Sequence, residues 1–182
     1  MLFRRKKKDG VPTEAPLVPV SGAEIETVRE RCREMVRKRA LVSAGVAAVP
    51  LPGVDILSDL TTFTVLVEEV NKEFGLSQQQ IERLNPRLRV LAYKAAASVG
   101  GMLVGKLVTK ALVLQLFKRA GLKIAAKTVT KVVPVAGQVA SAAIGFALFR
   151  KMGYQHVEAC AKVARELQKV RMIDAGTAQA PV

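Results

Sequence analysis

Few side chains in this 182-residue sequence are of types that do chemistry, and spacing decides what each could do. The single histidine, His156, is followed one helical turn later by Cys160; the other cysteine is Cys32. Two ligands at i and i+4 can share a metal ion, but a structural zinc site takes four and no others gather here. There is no Gly-x-Ser-x-Gly, and no spare base or orienting partner stands out. A Ser-His or Cys-His nucleophile is therefore not supported. His156 reads as a half-exposed helix residue and the cysteines as buried free thiols. Asp55 and Asp59, one turn apart, read as a helix cap and a polar position. No catalytic residue, metal site or cofactor is expected, and the chain reads as non-enzymatic.

Gly100-Gly101-Met102-Leu103-Val104-Gly105-Lys106-Leu107 satisfies G-x-x-x-x-G-K but places Leu107 where a phosphate-binding loop needs Ser or Thr for Mg²⁺. Such a loop follows a buried strand, and Tyr93–Val99 is alanine-rich and helix-like. The run is expected as a helix face of small residues. Ala97, Gly101 and Gly105 fall at four-residue spacing, as do Gly137, Ser141 and Gly145, and two such stripes let helix backbones come close. The two helices are expected to pair.

Charge is unevenly spread. The net charge is +14. Residues 1–39 carry 11 basic and 6 acidic side chains, 40–82 carry 1 and 6, and 83–131 carry 11 basic and no acidic. The last of these must face an anionic partner or the acidic 55–82 segment. Lys123, Lys127 and Lys131 form one basic helical stripe, opposite Ile124, Val129 and Val132. With Arg4, Arg5, Lys6, Lys7 and Lys8, they are the expected contacts for anionic lipid. A basic face also suits nucleic acid, but no helix-turn-helix or interleaved aromatics accompany it.

The elements that must position these groups are helical. Half the residues are hydrophobic, there is no Trp, and mean hydropathy is +0.22. Alanine, valine, leucine and glycine at this density suit closely packed helices in one domain. Residues 1–20, basic and then proline-spaced, read as a disordered tail, and Met1-Leu2-Phe3 before the basic cluster does not read as a secretory signal. Ser21 with Glu24 is a capping box opening a helix with Ile25, Val28, Cys32, Met35 and Val36 on one stripe. That helix turns wholly apolar after Arg39. Val49-Pro50-Leu51-Pro52-Gly53 then makes a corner no helix can cross. The second arm runs from Asp55 to Phe74 and stops at Gly75-Leu76. Ser77 with Gln80 repeats the capping box, and Asn85-Pro86 closes that short helix. A long helix is expected from Arg87 to about Arg119 with its break at Gly121, and another over 122–133 up to Pro134. Residues 136–151 are nearly uncharged, Gly153 is a potential kink, and 155–172 is amphipathic. Residues 173–182 read as a frayed, disordered tail. The expected fold is all-α: two apolar helix–corner–helix hairpins with flanking amphipathic helices, within a single domain over 21–172.

Val49-Pro50-Leu51-Pro52-Gly53-Val54-Asp55, Glu73-Phe74-Gly75-Leu76-Ser77 and Val133-Pro134-Val135-Ala136-Gly137-Gln138 resemble the helical domain of the immunity-related (interferon-inducible) GTPases. They are also similar to a bacterial family of GTPase-associated and inner-membrane proteins with that domain. The resemblance covers about residues 38–170 and implies a domain that packs beside a GTPase and takes part in membrane targeting. No counterpart of the GTPase domain lies in these 182 residues, so its activity is not carried over. The expectation is a protein at the cytoplasmic face of a membrane, peripheral or partly inserted. A separate GTPase or a second copy of the chain is a further expected partner. A soluble nucleic-acid-binding bundle using 83–131 is the alternative.

Overall fold

The computed structural model describes residues 19, 21–47, 55–100, 103–106, 108–128 and 137–178; within the helices, side chains of 43–59, 120–144 and 175–178 are not described. The described residues are all-α, as expected: α1 (Gly22–Ala47), α2 (Asp55–Glu73), α3 (Gln78–Glu82), α4 (Pro86–Ser98), α5 (Lys110–Thr128) and α6 (Gly137–Ala178). Both corners, 48–54 and 131–136, and thus Pro50, Pro52, Gly53 and Pro134, lie outside the described residues.

Local chemistry sets most helix ends. Ser21 Oγ accepts from the Glu24 amide while Glu24 accepts from the Ser21 amide, closing the first capping box. Gly75, at φ 68°, ends α2: its amide donates to the Lys72 carbonyl and that of Leu76 to the Asn71 carbonyl, the paired bonds of a Schellman stop. Ser77 and Gln80 form the second box at α3. Asn85 does more than end α3. Its side chain caps α4, with Pro86 in the first turn.

Five corrections follow downstream. The helix expected from Arg87 to Arg119 is two, separated by residues 99–109. Gly100 and Gly105 adopt φ of 66° and 68°, which breaks the helix, and Thr109 Oγ1 accepts from the Leu112 amide to open α5. Gly121, the expected break, lies inside α5. Gly105 is therefore not on a helical stripe. A Cβ there would fall 2.5 Å from Ile81 Cδ1, so the glycine lets the turn lie against α3. Gly101 lies outside the described residues, and Ser141 is described only by its backbone. Gly137 opens α6, and Gly145 has no atom within 4 Å of where its Cβ would be, so it marks no close helix approach. That role belongs to Gly153. It does not kink α6, which runs unbroken through Ala178; a Cβ on it would meet Val36 Cγ1 at 2.7 Å.

Side-chain pairs fix the helix directions. Arg31–Glu73 (2.9 Å) and Arg39–Glu69 (2.6 Å) run α1 antiparallel to α2. Arg29 and Arg33 both bind Glu158 (2.8 and 2.9 Å), and Glu26 binds Arg165, so α1 is antiparallel to α6 as well. Phe63 meets Phe149 edge-on at 5.0 Å and Asn71 meets His156, so α2 and α6 are parallel. Phe63 also takes Phe117 of α5 edge-on at 5.1 Å, and α4 packs along α6 with Ala92, Ala95 and Ala96 buried. The C-terminal end of α1 and the N-terminal ends of α2 and α6 therefore share one end of the bundle.

Candidate functional site

At the shared end, α2 opens on Asp55 and Asp59, while α1 and α6 contribute the least charged sequence in the chain. Residues 40–54 and 132–149 contain no charged side chain at all. Where α1 enters this region, Leu41 and Val42 stand 58% and 64% exposed, although Ala40 beside them is fully buried. Among the described residues no helix is long and apolar enough to cross a membrane.

The basic residues divide into two populations. Those of α1 are neutralised within the fold: Arg29, Arg31, Arg33, Arg37, Lys38 and Arg39 all meet carboxylates. Glu69 and Glu73 of the acidic segment are taken up by α1 and do not reach 83–131. Among the described residues of 83–131, only Arg87 meets a carboxylate, Asp174 at 2.9 Å. Lys94, Lys106, Lys110, Lys118 and Arg119 are exposed. Lys123 and Lys127 follow in the last turns of α5, which leads through 129–136 to α6 at the apolar end. Arg4, Arg5, Lys6, Lys7, Lys8 and Lys131 lie outside the described residues, as do the side chains of Asp55 and Asp59.

His156 is not half-exposed. It is buried where α6 crosses α2, because the stripe that carries it also carries Val157, Cys160 and Ala164 into the core. Asn71 is the partner that sequence spacing could not show, being 85 residues away. Its Nδ2 donates to the Leu103 carbonyl at 3.0 Å, turning Oδ1 toward the ring; His156 Nε2 lies 3.1 Å from that oxygen, and the Cys160 thiol donates to it at 3.5 Å. Burial lowers the imidazole pKa to about 4, with a backbone hydrogen bond at Val67 pulling the other way. Burial likewise pushes Cys160 well above the ordinary thiol range and Cys32 up to about 12. A Cys–His–Asn grouping is present, but its thiol is fully buried and held protonated, which opposes nucleophilic chemistry. Its work is to tie α2, α6 and the α4–α5 turn together. Among the described residues no group of three or more His, Cys, Asp or Glu could hold a metal ion.

On the outer side of His156 an open cleft of about 820 Å³ lies between α6, the α4–α5 turn, Phe63 and Leu116. Its apolar lining includes Phe63, Leu103, Leu116, Met152 and Ala159, and Arg150, Lys151 and Lys162 line it too. Compared with models of known protein families, with curated proteins and with solved structures, the chain matches none.

Proposed function

We propose that this is a non-enzymatic helical protein that attaches to an anionic membrane surface, seating its apolar end in one leaflet and laying basic α5 against the headgroups. The observation that carries this reading is the meeting of two helix ends of uncharged sequence, the C-terminal end of α1 and the N-terminal end of α6, beside exposed Leu41 and Val42. Support also comes from Lys94, Lys106, Lys110 and Lys118, which, among the described residues, meet no carboxylate, unlike the cations of α1. The helical domain of the immunity-related GTPases, which the corners resemble, takes part in membrane targeting, and that agrees. A basic, amphipathic element with an apolar neighbour binds a lipid interface through both contributions.

Co-sedimentation with vesicles tests it. Anionic vesicles should pull the protein down and neutral ones much less. Added salt should weaken binding without abolishing it, because charge is screened beyond about 10 Å at 0.1 M while apolar insertion is not. Reversing Lys123, Lys127 and Lys131 to Glu should cost at least about a hundredfold in affinity for anionic vesicles, since each lysine lost removes about 1 kcal/mol and each Glu adds repulsion. Indifference to both vesicle types, with retention on DNA or RNA that falls steeply with salt, would assign the basic face to nucleic acid instead.

A further inference from the structure

The cleft beside His156 lies along the middle of α6, away from the apolar end, and its chemistry is two-sided. The floor is apolar: the Phe63 ring, held by Phe117 and Phe149, with Leu103, Leu116, Met152 and Ala159 around it. Three cations also line it: Arg150, Lys151 and Lys162, all exposed. Glu158, the lining carboxylate, does not offset them, since Arg29 and Arg33 both bind it. His156 adds no charge at neutral pH. A volume of about 820 Å³ lies inside the range of about 300–1,000 Å³ that small-molecule sites occupy.

We propose that this cleft binds a single-chain lipophilic anion of the fatty-acid class, its hydrocarbon along Leu116 and Met152 above the buried Phe63 ring and its carboxylate at an end of the cleft, beside Arg150 and Lys151 or beside Lys162 about three helical turns further along α6. Charge complementarity selects the occupant. A neutral lipid would leave the cations unused, a small inorganic anion would leave the floor unused, and the chain's own basic segment at Arg4–Lys8 would be repelled. The hydrocarbon supplies apolar burial and the headgroup a charge-assisted contact, so each part of the site has a partner. The inference does not depend on membrane attachment, because it concerns a monomeric ligand in water.

Titration with cis-parinaric acid, a fluorescent fatty acid, kept below its micelle-forming concentration and without vesicles, tests it. One saturable site should appear, displaced by oleate but not by acetate, and only weakly by methyl oleate. Lys151→Glu with Lys162→Glu, both at exposed positions, should weaken the acid by about tenfold or more and leave methyl oleate unchanged. Ala159→Phe, which fills the floor, should lower affinity for acid and ester alike; its thermal melt is read alongside to establish folding. Absence of saturable binding to the folded parent overturns the proposal. So does equal affinity for acid and ester together with indifference to the double charge reversal, which would leave only a nonspecific apolar crevice.

Discussion

His156 shows how a single side chain can hold three elements and set a pH limit. Its partners are an amide, a thiol and a backbone carbonyl, none of which supplies the negative charge an imidazolium would want. In the unfolded chain the ring titrates near 6.5, in the fold near 4. Between these values the unfolded state binds the extra proton, so stability is fully present above pH 6.5 and is lost as pH falls toward 4. The loss reaches about 3 kcal/mol. Glu26 and Glu158, whose carboxyls are held below the usual range by Arg165 and by Arg29, add their own losses only at more acid pH. Urea midpoints measured from pH 7 to pH 4.5 should therefore fall in the parent and stay flatter in His156→Gln; equal slopes would mean the ring is not buried neutral. The sequence revealed the His156–Cys160 spacing but not burial. Nothing local to residue 156 announces Asn71.

At the scale of elements, legibility tracked whether the cause was local. Ser21–Glu24, Gly75–Leu76 and Ser77–Gln80 carry their hydrogen-bond partners within a few residues, and each was readable. The break at 99–109 was not. Its glycines sit in a run of Ala, Val and Leu with helical spacing, and what holds the turn is distant: the Gly105 amide donates to the Leu76 carbonyl and Asn71 binds Leu103. The close helix approach was misplaced for a similar reason. Several glycines satisfy a small-residue pattern, and only the facing helix decides which one is used. Gly153 against Val36 gives a direct test. Gly153→Ala should gain about 1 kcal/mol of helix propensity yet lose about 1–3 kcal/mol to overpacking against a β-branched side chain. Pairing it with Val36→Ala should recover part of that loss, and thermal melts of the four combinations check the coupling. Additive effects would separate α1 from α6 at this point.

For the whole molecule, the informative property is how charge and apolar surface are divided. The cations of α1 are matched by carboxylates: Glu69 and Glu73 of α2, Glu158 of α6 and Glu34 on α1 itself. Of the described cations of 83–131, Lys94, Lys106, Lys110, Lys118 and Arg119 stand exposed, and the uncharged ends of α1 and α6 meet at one end of the bundle. The all-α class and the absence of acid from 83–131 were legible because both are compositional. The convergence was not, since it follows from the directions of α1, α2 and α6, which long-range pairs alone fix. The most direct measurement uses Val42, 64% exposed at the apolar end, and Met172, 65% exposed toward the opposite end of α6. Val42→Cys and Met172→Cys can each be labelled with a small fluorophore, because Cys32 and Cys160 are buried and protonated. On anionic vesicles whose lipids carry nitroxides in their acyl chains, the label at position 42 should be strongly quenched and that at 172 little affected. Vesicle-bound protein with an unquenched label at 42, or equal quenching at both ends, would contradict insertion by the apolar end.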